Sequence, residues 1–377
     1  MSDFNTSAER YLRDAVAIPS TTGSEGLMAG YLESSFKKMG AEVDLQHVDN
    51  DRYNVIARAG NGPIKLMLCT HTDVIPSLDE SRWSTPPFEA VSRHDRIYGR
   101  GSTDAKGSLA AMMEALERII GSGKKLSGSV AVAAVVEEET GKSLGARKVV
   151  EKYAPEMVII GEPTMLRLAI AHKGALRPII TVQGMAAHAS SPSSGINAIM
   201  LMGRALETFG EYGRKVSDNY DPLLGRSSFE ITMIQGGERI NVIPDRCSIS
   251  VDRRLVSNES MDASYEELKG IVAELEKKLD AEMSIELVSA YPPSKTDRNE
   301  KIVRLAMDAL SVRGMQSDPI GFPAGCDMWA FRSKNIPTAV LGPGSIEQAH
   351  VIGEYIEKRQ LNLAADIYED IIYSALV

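Results

Sequence analysis

The sequence predicts an α/β protein whose main domain, built on a mainly parallel sheet, is interrupted by an inserted ferredoxin-like α+β domain. Three observations carry this prediction. Strand and helix patterns alternate through residue 172, which is typical of a parallel sheet covered by helices on both faces. Residues 175–289 then follow a β-α-β-β-α-β order, the ferredoxin-like pattern that closes its own small core. Residues 301–377 return to helix, strand and helix.

The main domain begins with two amphipathic helices, because apolar residues recur every three or four positions over residues 7–17 and 25–39. The long connection 75–96 is predicted as an ordered loop. A further helix starts at Lys106, where the apolar residues again fall on one face. The strands predicted for this domain are 42–47, 54–58, 64–71, 129–136, 157–160 and 338–341.

The inserted domain has its own set of predicted elements, which are a strand at 175–183, a helix at 195–212, strands at 228–234 and 245–251, a helix at 262–280 and a strand at 283–289. A chain of 377 residues is too long for one ordinary core and suits two domains. We therefore predict a main domain of residues 1–174 and 291–377, and an inserted domain of residues 175–290. Pro292-Pro293 marks the return.

The charge, the apolar segments and the cysteines of the sequence exclude several classes of protein. The net charge is −9 and no block of Lys or Arg stands out, which argues against a nucleic-acid or membrane partner. No apolar segment resembles a signal peptide or a membrane span, so we expect a cytoplasmic protein. The three cysteines are too few and too far apart for a disulfide framework or a thiolate zinc site. We expect them reduced, with Cys69 and Cys247 buried in strands.

Polar residues follow several of the predicted strands. In open α/β sheets, ligands bind beyond the carboxyl ends of the strands, so these side chains are expected to converge at one edge. Asp104 joins them from a glycine-flanked turn just before a helix. The residues at the strand ends are His71, Asp73, Glu137, Glu138, Glu139, Glu162 and, in the loop after the last strand, His350.

Carboxylates combined with two imidazoles suit Zn²⁺, Co²⁺ or Mn²⁺. Five ligands that share one carboxylate would hold two ions, and such a pair can polarise a carbonyl and activate a water molecule. A base is also needed. In Glu137-Glu138-Glu139, one carboxylate can bind metal while its neighbour takes the proton of the water, since successive side chains leaving a strand point different ways.

Each of these residues also has an ordinary structural explanation. A histidine at a strand end is more often a hydrogen-bonded structural residue, and three successive glutamates usually form a solvated face. Asp104 can equally cap a helix by accepting from its free N–H groups. Their common placement at the strand ends of one sheet favours the metal site.

The motifs together resemble one family, the metal-dependent aminoacylases and carboxypeptidases of peptidase family M20, over nearly the whole chain. Motifs in this order and spacing are highly specific. They are HTDVIP at His71, GRGSTDAKG around Asp104, EEETG, GEPT at Glu162, GMAAHASSPSSGINAI around His188, GGERINVIPDRC followed by Asp252 and Arg254, AGCDMWAF around Asp327, and GPGSIEQAH ending at His350.

The resemblance implies that residues 1–174 and 291–377 form the catalytic metal-binding domain and that residues 175–290 form a dimerisation domain. It also implies two divalent ions, with Zn²⁺ expected first and Co²⁺ or Mn²⁺ as alternatives. His71 and Glu162 would bind one ion. Glu139 and His350 would bind the other, and Asp104 would bridge the two.

The resemblance also implies roles for residues outside the metal ligands. Glu138 would be the general base and later the acid that protonates the leaving amine, and Asp73 would orient His71. His188, in the inserted domain, would reach the site of the neighbouring subunit of a homodimer and stabilise the oxyanion. Arg254 and Asn241 would anchor a substrate carboxylate or carbonyl, because a guanidinium binds a carboxylate bidentately. Their structural alternatives are a surface salt bridge and a turn asparagine.

The sequence departs from the family pattern at three positions. Glu137 replaces the usual Asp, which shifts no ligand. Gly353 replaces the acidic residue usually found before Glu354-Tyr355, and Cys326 replaces a more usual Ser or Thr. The histidines that match no ligand position, and are expected to be structural or exposed, are His47, His94 and His172.

The resemblance implies a hydrolase that cleaves the N-acyl amide of an amino acid, a small-molecule substrate. GPGSIEQAH is most similar to the acetylornithine deacetylase branch. The alternatives within the family are a succinyl-diaminopimelate desuccinylase and a dipeptidase or glutamate-releasing carboxypeptidase. From another class, a catalytically silent dimeric binding protein would have no chemical need for the complete set of ligands and the base.

Overall fold

The structure is a computed structural model that describes residues 4–377, and these residues form two compact units. The first unit consists of the described chain up to Ala171, Lys295–Phe322 and Cys326–Val377. The second unit consists of His172–Ser294 and Pro323–Gly325. The chain therefore leaves the first unit twice, for one long segment and for the short segment Pro323–Gly325, and returns to it each time.

Several helices begin where a side chain can accept from their free N–H groups. Thr6, Asn197 and Ser260 each cap a helix by accepting from a backbone N–H. The helices are α1 (Ser7–Val16), α2 (Gly26–Met39), α3 (Lys106–Gly121), α4 (Leu144–Lys152), α5 (Ala198–Val216), α6 (Met261–Leu279), α7 (Lys301–Val312), α8 (Met328–Arg332) and α9 (Lys358–Leu376).

The strands vary in length, and several are too short to contain an apolar run. The strands up to residue 172 are β1 (Glu42–Asp49), β2 (Arg52–Gly60), β3 (Ile64–His71), β4 (Val91–Arg93), β5 (Arg96–Tyr98), β6 (Ser129–Val135), β7 (Val158–Ile160) and β8 (Ala169–His172). The rest are β9 (Gly174–Gln183), β10 (Ala187–His188), β11 (Tyr220–Asp221), β12 (Gly225–Arg226), β13 (Ser228–Gly236), β14 (Val242–Ile243), β15 (Arg246–Leu255), β16 (Met283–Tyr291), β17 (Ser294–Lys295), β18 (Ile320–Phe322), β19 (Thr338–Val340) and β20 (Tyr355–Glu357).

The central sheet has the strand order β1-β2-β6-β3-β7-β19-β8-β17. Its middle strands β6, β3, β7 and β19 are parallel neighbours, which confirms the predicted mainly parallel core. Strands β1 and β2 are antiparallel to their neighbours, and so is β8 to β19. The β1–β2 link is a tight turn at residues 50–51, which is too short for a parallel crossover.

Burial on both faces makes the middle of this sheet the core of the first unit. Every residue of β6 is buried, and β3 is buried apart from the half-buried Lys65. Helices α1, α3 and α9 pack against one another, and α3 also contacts β3. Because α3 begins two residues after Asp104, its packing fixes the position of that turn.

A small three-stranded sheet, β20-β5-β4, was absent from the sequence prediction. The connection 75–96 was predicted as a loop, yet its end forms β4, which continues into β5. Both strands have only three residues and carry arginines, so no apolar alternation marks them. Strand β20 lies just after His350 and pairs with β5. This pairing holds the segment before Asp104 beside the loop that carries His350.

The second unit is an antiparallel sheet of order β13-β15-β9-β16 packed against α5 and α6. In chain order its elements run β9, α5, β13, β15, α6 and β16, which confirms the ferredoxin-like pattern. Alternate residues of β9 and β15 point into one apolar core with Phe209 and Leu268. Cys69 and Cys247 are buried in β3 and β15, as predicted.

Among the described residues, no helix combines the length and apolar character needed to cross a bilayer.

Candidate metal centre

His71 ends β3 with a buried imidazole. Its Nδ1 lies 2.9 Å from the backbone oxygen of Asp73, and its Nε2 lies 3.1 Å from Oδ1 of Asp104. A carbonyl oxygen only accepts, so we assign the proton to Nδ1, which leaves the lone pair of Nε2 facing a carboxylate oxygen. Two acceptors at this distance need a proton or a metal cation between them.

Asp104 stands between two imidazoles. Its Oδ2 lies 3.5 Å from Nε2 of His350, on the side opposite the oxygen that faces His71. The same nitrogen of His350 lies 2.8 Å from Oε2 of Glu139. One ligand atom each from His71, Asp104 and Glu139 lie within 4.8 Å of one another. Each oxygen of Asp104 therefore addresses a different histidine, which is the arrangement required of a bridging carboxylate.

Glu162 follows β7 after a single glycine and is buried. Its Oε1 has no hydrogen-bond partner among the described residues. Burial raises the pKa of Glu162 well above its usual range, while the charge of His71 opposes this shift and that of Asp104 adds to it. A buried carboxylate oxygen without a donor fits a metal ligand, since burying an unpaired charge is otherwise costly.

The turn Glu137-Glu138-Glu139 is held by Asp73. Its Oδ1 accepts from the N–H of Glu138 at 3.1 Å and its Oδ2 from the N–H of Glu139 at 3.2 Å. The carboxylate of Asp73 is 3.6 Å from Nδ1 of His71, so the close contact to that ring is the backbone oxygen instead. Asp73 thus orients His71 through its main chain and the neighbouring glutamates through its side chain.

Glu138 lies among like charges. Burial raises the pKa of Glu138 well above its usual range, and the carboxylate of Glu162 raises it further, whereas the charge of His71 lowers it. Four carboxylates, counting Asp104 and Glu139, therefore share this site with only two imidazoles. The donor set and its excess of negative charge fit divalent cations.

Glu137 turns away from this cluster. Its Oε2 lies 2.6 Å from Nη1 of Arg52, which also binds Glu25 with its other nitrogens. Glu137 has a φ of 60°, which lets the chain turn sharply between the strand and Glu138. The structure therefore separates the three successive glutamates into one structural residue and two that face the cluster.

Glu354 is a site residue whose role the sequence analysis missed. It is buried beside Arg100 and accepts hydrogen bonds from the turn that carries Asp104. The glycine-flanked turn Gly99–Asp104 was the sequence signal that could have indicated such a residue. Its backbone N–H groups lie ahead of a helix and need an acceptor.

Arg254, Asn241 and His188 belong to the second unit. The Nε and Nη2 atoms of Arg254 bind the two oxygens of Asp252 at 2.5 and 3.1 Å, and Nη1 binds the hydroxyl of Tyr291 at 3.2 Å. Asn241 and His188 are exposed, and Nδ1 of His188 lies 2.7 Å from Oγ of Ser190. Arg254 is thus oriented within its own unit, while the other two side chains face solvent.

The remaining histidines lie outside the cluster. His47 is exposed in β1 and His94 is exposed on a turn, whereas His172 is fully buried with a pKa lowered by burial to about 4.

The parallel strand ends and the cluster of imidazoles and carboxylates define a metal-binding α/β protein. The family model for peptidase family M20/M25/M40 matches residues 67–374, and the chain belongs to this family. The protein is a metal-dependent hydrolase.

Individual relatives agree with this assignment. The chain is 32% identical to acetylornithine deacetylase of Photorhabdus laumondii over 364 residues, covering 92% of this chain and 91% of the relative. A tripeptidase from Staphylococcus aureus has the same fold, with a TM-score of 0.82, 22% identity and 99% coverage of both chains. So does a dinuclear metal-binding peptidase of the M20 family from Bacillus subtilis, with a TM-score of 0.72, 17% identity and coverage of 98% and 97%.

Proposed function

We propose that this protein is a two-metal amidohydrolase that removes the acyl group from an N-acyl amino acid, most like an acetylornithine deacetylase. The observation that carries the proposal is Asp104, whose two oxygens face His71 and His350 separately. The 32% identity to an acetylornithine deacetylase supports the choice of substrate class.

Each ion would have its own pair of ligands besides the shared Asp104. His71 and the unpartnered Glu162 would bind the first, and Glu139 and His350 the second. Zn²⁺ suits this set of imidazole and carboxylate donors, and so do Co²⁺ and Mn²⁺. Two such ions polarise the scissile carbonyl and lower the pKa of an attacking water.

Glu138 would take the proton of that water and later deliver it to the leaving amine. Its backbone is fixed by Asp73, and its side chain makes no ion pair with an arginine or lysine among the described residues. Burial and the neighbouring carboxylates raise the pKa of Glu138, which makes its carboxylate a stronger proton acceptor.

Arg254 would bind the free carboxylate of the amino acid, with Asn241 as a further polar anchor. Asp252 and Tyr291 hold three of the guanidinium's donors and thereby fix its plane. The remaining N–H groups on Nη1 and Nη2 can donate to an anionic substrate.

The assembly would be a homodimer formed through the second unit. Strand β13 is an edge strand, and its outer residues Met233 and Ile234 are more than half exposed. Met200 at the start of α5 is also exposed. An exposed apolar edge strand favours pairing with a second copy, and His188 would then serve the partner's site.

The test is a hydrolysis screen with defined metal content. Protein stripped by a chelator and reloaded with Zn²⁺, Co²⁺ or Mn²⁺ is assayed on N-acetylornithine, N-succinyl-diaminopimelate and dipeptides. We expect activity only after reloading, and the highest kcat/KM on the acetylated amino acid. A clear preference for the succinyl substrate or for dipeptides would replace the proposed substrate, and full activity of the stripped protein would contradict the metal mechanism.

A further inference from the structure

The carboxylate of Glu354 is saturated by donors from one short segment. Its Oε1 accepts from the N–H of Thr103 at 2.9 Å and of Asp104 at 3.1 Å. Its Oε2 accepts from the N–H of Gly101 at 2.9 Å and from Nη1 of Arg100 at 2.8 Å. Four hydrogen bonds therefore join this one buried side chain to the turn that carries Asp104.

The shape of the turn explains this convergence. Gly101 has a φ of 81°, a left-handed conformation that only glycine adopts without strain, and a Cβ there would meet Val74 at 2.6 Å. The turn consequently aims the N–H groups of Gly101, Thr103 and Asp104 at a common point, as in the concave anion sites formed by backbone amides. Here the anion is a side chain of the same protein.

Glu354 also belongs to the segment that follows His350. The backbone oxygen of Glu354 accepts from the N–H of Gly99 at 3.0 Å, and Oγ1 of Thr103 donates to the oxygen of Tyr355 at 2.6 Å. These bonds join two ligand-bearing segments that are about 250 residues apart in the chain. The spacing between Asp104 and His350 therefore depends on this junction.

We propose that Glu354 is a positioning residue of the metal centre, which sets the orientation of the bridging Asp104 without binding metal or substrate itself. This inference rests on the proposed two-metal function. Among the described residues, the carboxylate of Asp104 contacts only the two histidines, so no bond within its own turn fixes it. Groups that orient metal ligands typically change metal affinity by about 10- to 100-fold when they are altered.

Replacement of Glu354 by glutamine isolates this role. Each carboxylate oxygen accepts two hydrogen bonds, so the amide nitrogen of glutamine faces two donors whichever way the amide is oriented. The substitution therefore keeps the size of the side chain but loses two of the four hydrogen bonds that the turn donates to it.

The second unit offers a matched control in Glu259. Its Oε1 binds Asn219 and Arg253, and its Oε2 binds Ser227 and the N–H of Val256. Glu259 is therefore also a carboxylate with two donors on each oxygen, an arginine among them. Glu259→Gln tests the same loss of acceptors in a region with none of the proposed metal ligands.

The experiment measures metal binding to stripped protein by titration calorimetry with Zn²⁺, together with urea unfolding of each variant. We expect Glu354→Gln to bind Zn²⁺ about 10- to 100-fold more weakly than wild type. Glu259→Gln is expected to lose stability but to keep wild-type affinity. Equal affinity in the two glutamine variants would overturn the inference.

Two further variants keep the outcomes separate. If Glu354→Gln does not fold, Glu354→Asp keeps the charge with a shorter reach, and wild-type affinity in that variant would overturn the inference. Asp104→Ala tests the underlying function. If Asp104→Ala weakens Zn²⁺ binding while the Glu354 variants do not, only the positioning role fails. If Asp104→Ala binds like wild type, the proposed metal site itself fails.

Discussion

Each unit of this protein contains a fully buried histidine, His71 in the first and His172 in the second. Burial by itself shifts the pKa of both rings downward. At His71, the hydrogen bond to Asp104 and the charges of Glu162 and Glu138 outweigh burial, and the pKa rises well above its usual range. At His172 only a backbone oxygen opposes burial, and the pKa falls to about 4.

The contrast shows how surroundings, rather than burial, distinguish the proposed metal ligand His71 from His172. Carboxylates outnumber imidazoles around His71, so that region needs a cation. The second unit instead pairs a buried charge locally, as Arg253 with Glu259. A buried charge that is paired locally needs no further partner, whereas a cluster of unpaired buried charges indicates a ligand.

The largest expected effect comes from Glu138, one of the carboxylates around His71. Glu138→Gln should keep its metal and lose roughly 10² to 10⁴ in kcat, because it lacks the proton acceptor. The measurement combines steady-state kinetics with metal analysis of the purified variant. The matched control is Glu137→Gln, which breaks the ion pair with Arg52 and should cost stability rather than turnover. Near-normal kcat for Glu138→Gln would assign the base to another group.

The second effect concerns His172 and the pH dependence of folding. Its folded pKa of about 4 lies below the usual 6.5, so the unfolded chain binds more protons between these values. Stability due to this group is present above pH 6.5 and is lost as the pH falls towards 4.

His172→Gln removes this titration. Relative to the variant, the wild type should lose roughly 2 kcal/mol of unfolding free energy between pH 7 and pH 5. Urea unfolding of both proteins at the two pH values measures the difference. If the difference in unfolding free energy between the two proteins does not change with pH, burial does not lower the pKa of His172. The contrast in pKa between His172 and His71 would then be wrong.

Arg254 should show an effect of similar size that depends on the substrate. Arg254→Ala loses a charge-assisted bond to the substrate carboxylate, which is worth about 1.5–3 kcal/mol, or about 10- to 150-fold in kcat/KM. Amides without the carboxylate should be little affected. Arg177→Ala is the control, because Arg177 also binds Asp252, at 3.0 Å. Equal losses on both substrate classes would indicate a structural role for Arg254.

The last prediction tests whether the exposed His188 serves a partner's site, and its readout is a partial recovery of activity. Chains with His188→Ala are mixed with chains carrying Glu138→Gln and allowed to exchange subunits. If His188 acts across a dimer, about half of the dimers are mixed, and one site in each has neither lesion, so about a quarter of wild-type activity returns. Action within one subunit predicts no recovery. Co-refolded wild-type protein supplies the reference rate.

The sequence by itself determined the main architecture and the chemical types at the site. Apolar runs such as residues 64–71 predict buried strands because only a sheet covered on both faces accommodates them. The polar residues after these runs were grouped at one edge because the carboxyl ends of parallel strands share it. In the structure His71, Asp104 and Glu139 lie together, whereas Glu137 turns away to Arg52. The ferredoxin-like order was equally readable, because alternating and helical periodicities are local properties of the chain.

Only the tertiary structure decided which atoms meet. Nothing local in the sequence indicates that Asp73 presents its backbone oxygen to His71 and its carboxylate to the Glu138-Glu139 turn. The bonds from Glu354 to the Asp104 turn span about 250 residues, beyond the reach of any periodic pattern. A hydrogen bond depends on distances of a few tenths of an ångström, and packing of the whole unit, rather than the adjacent sequence, sets distances at that scale.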